Sequence, residues 1–168
     1  MFYNGLKVQD VANGDGIRVS LFVSGCKNHC LGCFNKSTWD FTYGKPFNKE
    51  VLDDILEALS FDFIKGFSLL GGEPFEVENQ KTCAEILKNI KESYPEKDIW
   101  CWSGYLLSDL QQGGKRFTKY SKAMLEYIDV LVDGPFVQEK YNQNLRFRGS
   151  ENQQIYKKQN GIFIKTQI

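Results

Sequence analysis

The feature that most constrains this chain is a regular alternation of strand-like and helix-like segments. Short runs rich in Val, Leu, Ile and Phe are typical of buried strands, and apolar residues three and four positions apart are typical of helices. Strand-like runs cover residues 17–24, 66–70, 99–102, 130–132 and 161–165, and helical spacing covers 49–59, 76–94, 106–110 and 120–128. This alternation predicts βαβ units and a mainly parallel sheet.

The alternation predicts an α/β fold, specifically an incomplete βα barrel with a mainly parallel curved sheet. A complete eight-unit barrel takes about 250 residues, which is more than the 168 of this chain. An open curved sheet is the alternative. No linker or internal repeat divides the sequence, so we expect a single domain over residues 1–168.

Polar or reactive residues follow each of the four predicted parallel strands. Along the chain these are Cys26, the run Gly71-Gly72-Glu73-Pro74, the run Ser103-Gly104-Tyr105 and the pair Asp133-Gly134. The carboxyl ends of parallel strands meet at one edge of a sheet, where α/β proteins collect their chemistry. The sequence therefore predicts that these groups belong to a single site.

Three cysteines lie within eight residues directly after the first predicted strand. Cys26, Cys30 and Cys33 form a C-x3-C-x2-C pattern, and thiolates are soft ligands that suit iron–sulfur clusters and zinc. A structural zinc ion takes four ligands, and His29, the only histidine, would need a strained loop to share a metal with Cys30. Three thiolates on a four-iron cluster leave one iron open to a small molecule. We predict a [4Fe-4S] cluster here, with a zinc site and metal-free thiols as the alternatives.

Two further cysteines stand apart from this loop. Cys83 lies on the apolar face of a predicted helix, and Cys101 lies in a predicted strand between Trp100 and Trp102. Free cysteine in such positions usually behaves as a small buried hydrophobe. An odd number of cysteines, three of them clustered, favours a metal or redox site in a reducing compartment over disulfides.

Charge and hydropathy bear on the classes of partner. The 21 basic and 21 acidic residues cancel to a formal net charge of zero, so no excess of Lys and Arg points to nucleic acid. The first ten residues lack the basic and apolar regions of a secretory signal, and no run approaches the about 20 apolar residues of a membrane span. We expect a soluble, cytoplasmic protein with no nucleic-acid or membrane partner.

Six short segments accompany the cysteine loop and extend its pattern over residues 11–154. They are NGDGIR at 13–18, FNKSTW at 34–39, GGEP at 71–74, WSGY at 102–105, VDG at 132–134 and RGSENQ at 148–153. The cysteine loop resembles that of the radical S-adenosylmethionine (SAM) enzymes. The whole set resembles, more narrowly, the activating proteins of anaerobic ribonucleoside-triphosphate reductases.

The resemblance implies a radical-generating activase. In such a protein the open iron of the [4Fe-4S] cluster holds SAM, and one electron cleaves SAM into methionine and a 5′-deoxyadenosyl radical. That radical removes a hydrogen atom from a glycine of the reductase large subunit, which then carries a glycyl radical. An external one-electron donor such as a flavodoxin supplies the electron. The alternative is an activase of another glycyl-radical enzyme, such as pyruvate formate-lyase.

The resemblance also implies residues that contact SAM at the ends of the predicted strands. Gly71 and Gly72 lack a Cβ, so their backbone can approach a ligand closely, with Glu73 beside them. A tight strand-to-helix turn is the alternative for these glycines. Ser103 and Asp133 are predicted to contact the ribose or the methionyl amine, with a helix cap or turn as the equal alternative.

Further contacts are implied around the third cysteine. Gly32, Cys33 and Phe34 are predicted to lie against SAM. Many radical SAM proteins carry an aromatic residue at the position of Gly32, and Phe34 is predicted to supply the aromatic contact to adenine instead. Arg148 is a candidate partner for a carboxylate, with a solvated surface loop as the alternative.

Overall fold

Eight strands and four α-helices form along residues 1–167, which a computed structural model describes. The strands are β1 (Phe2–Asp10), β2 (Ile17–Val23), β3 (Lys45–Pro46), β4 (Ile64–Gly71), β5 (Asp98–Trp102), β6 (Val130–Asp133), β7 (Gln154–Gln159) and β8 (Ile162–Thr166). The helices are α1 (Lys49–Leu59), α2 (Val77–Ser93), α3 (Leu107–Leu110) and α4 (Lys119–Tyr127). The predicted domain, 1–168, extends one residue beyond the described range.

The centre of the sheet consists of four parallel strands in chain order. The sheet order is β3-β1-β2-β4-β5-β6-β7-β8, and β2, β4, β5 and β6 are parallel neighbours. Helices connect these strands. Because βαβ crossovers are right-handed and each new strand is added on the same side of the previous one, the helices lie on one face of the sheet. Helix α2 contacts both α1 and α4. The predicted βαβ units are confirmed, and the carboxyl ends of the four strands meet at one edge.

The outer strands correct the prediction of a mainly parallel sheet, which holds only for the centre. β1 pairs antiparallel with β2 and β3, and β7 pairs antiparallel with β6 and β8. The sequence of β7, QIYKKQ, is too polar to resemble a strand, and only Ile155 is buried. Asn160 and Gly161, with φ of 50° and 80°, form the tight turn to β8. An Asn-Gly pair between two strands is a strong hairpin signal, and it is the signal that identifies β7.

Helix α1 begins and ends as its sequence predicts. The Asn48 side chain caps it by accepting the Val51 backbone N–H at 3.1 Å, which satisfies one of the free donors of the first turn. Its buried face carries Val51, Ile55 and Leu59 at helical spacing. None of the helices within residues 1–167 combines the length and apolar character that crossing a membrane requires.

The two faces of the parallel centre differ in chemistry. The face toward the helices is apolar, whereas the opposite face carries the fully buried Arg18. Arg18 donates from Nε to Ser68 Oγ at 2.7 Å and pairs through Nη1 with Asp98 Oδ1 at 2.7 Å. Ser68 in turn donates to the Asn13 carbonyl at 2.6 Å. This network ties the loop between β1 and β2 to the sheet, on the face opposite the helices and near the first residues of β2 and β5.

Candidate functional site

The cysteine loop starts where β2 ends and is held by its own backbone. The backbone N–H of Cys26 donates to the Trp39 carbonyl at 3.3 Å, and that of Cys33 donates to the Cys30 carbonyl at 3.1 Å. His29 adopts a positive φ of 45° and stacks on the Trp39 ring, with 4.4 Å between ring centroids. The loop thus bends so that its three cysteines face one cavity.

That cavity, with a volume of about 950 Å³, lies where the four parallel strands end. It brings together the three predicted cluster ligands and all but one of the predicted SAM contacts. These lining residues are Cys26, Cys30, Gly32, Cys33, Phe34, Gly71, Gly72, Glu73 and Ser103. The residues that follow separate strands in the sequence therefore share one site in the fold.

The donor set of the cavity fits an iron–sulfur cluster. In a cluster each thiolate binds a separate iron, so the ligands need a shared cavity with room between them, and three thiols line this one. Among residues 1–167, no three His, Cys, Asp or Glu side chains are grouped to hold a single metal ion. The sole histidine, His29, stacks on Trp39 instead of lining the cavity.

Burial changes the acidity of two of the three thiols. It raises the pKa of Cys26 to about 12, and it also raises the pKa of Cys30. Without a metal these two thiols are therefore protonated at neutral pH. Because the thiolate is the metal ligand, assembly of a cluster on this loop must release those protons.

Gly71, the last residue of β4, and Gly72, which follows it, allow a close approach between chain segments. Gly71 has a φ of +112°, and a Cβ on Gly72 would lie 2.7 Å from the Gly25 carbonyl oxygen. The Gly72 N–H donates to the Val23 carbonyl at 2.7 Å, and the Glu73 N–H donates to the Gly25 carbonyl at 2.9 Å. The glycine turn therefore packs directly on the base of the cysteine loop. Its contact with SAM stays a prediction.

Glu73 is the polar centre of the site. Its fully buried carboxylate accepts hydrogen bonds from the backbone N–H of Phe75 at 2.9 Å and from that of Gly104 at 2.6 Å. It also accepts from Ser103 Oγ at 2.9 Å and from Asn28 Nδ2 at 3.1 Å. Burial raises its pKa to about 7, against the opposing effect of these donors. Glu73 thereby links the cysteine loop to the end of β5.

Comparison with known proteins is consistent with this geometry. A family model described as a 4Fe-4S single cluster domain matches residues 12–156. The anaerobic ribonucleoside-triphosphate reductase-activating protein of Vibrio cholerae is 43% identical over 150 residues, 88% of this chain and 92% of that protein. Its namesake from Enterobacteria phage T4 is 36% identical over 167 residues, 97% of this chain and 98% of that protein. This chain belongs to the family of anaerobic reductase-activating proteins.

Membership of the reductase-activating family confirms the resemblance seen in the sequence. The protein of that name from Escherichia coli K12 is 40% identical over 158 residues, 93% of this chain and 98% of that protein. The segment matched by the cluster-domain model contains all three loop cysteines and every residue that lines the cavity. The prediction of a [4Fe-4S] cluster for this chain agrees with that model.

Asp133 is the predicted SAM contact that does not line the cavity. Its buried carboxylate accepts the backbone N–H of Leu107, the first residue of α3, at 2.6 Å. Burial raises the pKa of Asp133. The capping alternative matches this bond, while Gly134, the next residue, does line the cavity. A contact between Asp133 and SAM remains a prediction.

The segment after β6 contributes cavity residues that the sequence did not reveal. Phe136, Gln138, Tyr141 and Phe147 line the cavity together with the candidate Arg148. In the sequence this stretch is polar and has no periodic pattern, so no local signal distinguishes these residues from a surface loop. They reach the cavity because residues 134–153 fold back across the carboxyl edge of the sheet.

Proposed function

We propose that this chain activates an anaerobic ribonucleoside-triphosphate reductase by generating a glycyl radical on the reductase large subunit. The observation that carries this proposal is the meeting of Cys26, Cys30 and Cys33 with the 71–73 turn in one cavity. The names of the relatives favour this reductase over pyruvate formate-lyase as the partner.

In the proposed reaction the three loop cysteines hold a [4Fe-4S] cluster through their thiolates. When bound, the cluster and SAM together supply a 5′-deoxyadenosyl radical. The task of the chain is to orient SAM and to exclude water and oxygen from the cavity. Partial exposure of Cys30 and Cys33 supports access by an external electron donor such as a flavodoxin. A reducing compartment such as the cytoplasm would keep the thiols free.

SAM would lie against the loop and the strand ends. Gly32, Cys33 and Phe34 line the cavity, and Phe34, which is 99% exposed, is free to stack on adenine. Gly71, Gly72, Glu73 and Ser103 line the same cavity, and the presence of Gly134 there supports a contact from Asp133 at the end of β6. These residues would hold SAM in the cavity that the three cluster cysteines line.

The fold proposed for this reaction is an incomplete βα barrel that forms one radical SAM domain over residues 1–168. Successive parallel strands added on the same side, with helices between them, are the arrangement of βα barrels. The cluster-domain match over residues 12–156, most of the chain, supports a single domain.

The test is anaerobic reconstitution followed by a radical assay. We expect about four irons per chain, the content of one [4Fe-4S] cluster, and release of 5′-deoxyadenosine when reductant and SAM are added. With the purified reductase large subunit, electron paramagnetic resonance should detect a glycyl radical. No SAM cleavage by a fully loaded sample would refute the proposal. Stoichiometric zinc without sulfide would establish the alternative of a zinc site, in a binding module with no catalysis.

A further inference from the structure

Glu76 is a buried carboxylate to which the proposed reaction assigns no role. It directly precedes α2, is fully buried, and lies behind the cavity wall instead of lining the cavity. Its Oε1 accepts the backbone N–H of Lys27 at 2.8 Å and the hydroxyl of Tyr105 at 2.8 Å. Lys27 stands between the first two cysteines of the loop. One carboxylate oxygen therefore joins the cysteine loop to the segment after β5.

Arg116 completes this connection from a third segment. Its Nη2 donates to the Tyr105 hydroxyl at 2.5 Å and lies 3.5 Å from Glu76 Oε2. Its guanidinium also lies over the Tyr105 ring, 4.5 Å from the centroid. A buried carboxylate is costly unless it is paired and hydrogen-bonded. The two donors satisfy Oε1, while Oε2 accepts no hydrogen bond within residues 1–167 and has only the Arg116 cation beside it. Glu76 therefore holds Lys27 from inside the protein through Oε1.

The carboxylates of two neighbouring acidic residues, Glu78 and Glu73, contact side chains of the same loop instead of its backbone. Glu78, two positions further on, forms an ion pair with the Lys27 ammonium, and both side chains are about half exposed. Exposed ion pairs of this kind hold a backbone weakly, because solvent screens them. Glu73 holds the next loop residue, Asn28, through its side chain at 3.1 Å. Among residues 1–167, Glu76 is the side chain that accepts the N–H of the peptide group directly following Cys26.

We propose that Glu76 is a positioning residue that fixes the segment between Cys26 and Cys30 and thereby places the first thiol at the cavity wall. The inference rests on the proposed role of the loop as the cluster ligand. It concerns the loop before any metal is bound, since all the groups that hold Lys27 belong to the chain.

The test is site-resolved thiol labelling of the metal-free, reduced protein. Iodoacetamide is added, and alkylation of each cysteine is followed by mass spectrometry. Loss of a hydrogen bond to a charged group corresponds to about a tenfold change in the equilibrium by which the loop opens and exposes Cys26. We expect Glu76→Ala to label Cys26 about tenfold faster while the core residue Cys83 is unchanged. Glu78→Ala, the matched control, should leave both rates as they are.

Conservative variants separate positioning from general stability. Glu76→Gln retains an acceptor oxygen for the Lys27 N–H and should restore most of the protection of Cys26. Tyr105→Phe, which removes one donor to Glu76, should accelerate labelling of Cys26 by a smaller factor and serves if Glu76→Ala does not fold. Equal acceleration at Cys26 and Cys83, or an unchanged rate at Cys26, would overturn the inference. Because labelling needs neither cluster nor SAM, its result is independent of whether the chain cleaves SAM.

Discussion

Cysteines occupy two regions of this chain that differ in how they are held. Cys26, Cys30 and Cys33 line a cavity at the carboxyl edge of the sheet, in a loop fixed by directional hydrogen bonds. Cys83 and Cys101 are fully buried in the apolar core between the sheet and the helices. The same side chain thus serves as a candidate ligand in one region and as a packing group in the other.

The difference between the two regions lies in what each one requires of a side chain. The core needs volume and apolar character, so burial raises the pKa of Cys83 and Cys101 and keeps both as thiols. The loop needs particular donors at particular places, because Glu73 and Glu76 anchor it through individual hydrogen bonds. We therefore expect single substitutions of the loop cysteines to abolish cluster binding, and substitutions of the core cysteines to reduce stability only in part.

The largest expected effect is loss of the cluster from a loop variant. Cys30→Ala removes one of the three proposed thiolate ligands and should reduce iron and sulfide content and 5′-deoxyadenosine formation to background. Cys26→Ala and Cys33→Ala should behave in the same way. Cys101→Ala, reconstituted in parallel, should keep the cluster. Retention of four irons and SAM cleavage in Cys30→Ala would break the distinction between the two regions.

A large effect on stability is expected for Glu73→Ala. Removal of the carboxylate leaves several buried donors without an acceptor, among them the Gly104 N–H and the Ser103 hydroxyl. We expect the free energy of unfolding in urea to fall by about 3 kcal/mol. The exposed control Glu78→Ala should change it by less than about 0.5 kcal/mol. Equal losses in the two variants would contradict the role given to buried hydrogen bonds.

A smaller loss of stability is expected for Cys83→Ala in the core. The variant removes one buried sulfur, comparable to removal of a methylene group, so we expect a loss of about 1 kcal/mol in the free energy of unfolding. Iron content after reconstitution and SAM cleavage should match those of the unmodified chain. If Cys83→Ala loses the cluster while Cys33→Ala keeps it, the assignment of ligands to the loop is wrong.

The smallest expected effect belongs to Phe34→Ala at the rim of the cavity. The side chain is 99% exposed, so thermal unfolding should not change measurably. Loss of a stacking contact of about 1 kcal/mol should raise the KM for SAM about fivefold, with the cluster intact. Steady-state assays of SAM cleavage at several SAM concentrations measure this change. An unchanged KM would remove Phe34 from the SAM contacts. The role of the loop in binding SAM would then be limited to Gly32 and Cys33.

Local patterns predicted the elements that depend on short stretches of chain. The predicted bounds of α1, 49–59, agree with the structure because helical spacing is a property of a few consecutive residues. The burial of Cys83 and Cys101 is confirmed for the same reason. Of the antiparallel outer strands, β8 was predicted, at 161–165, whereas β1, β3 and β7 were missed, since polar edge strands such as β7 have no apolar alternation.

The sequence by itself determined the soft donor set at 26, 30 and 33, the alternation of parallel strands and helices, and the family. Each of these is carried by residue type and spacing along the chain. Only the tertiary structure decided that Glu73 and Glu76 use their carboxylates to hold the cysteine loop, and that residues 134–153 cross the cavity. These contacts join residues tens of positions apart, and a hydrogen-bond partner is set by which surfaces pack together, a property that no short segment encodes.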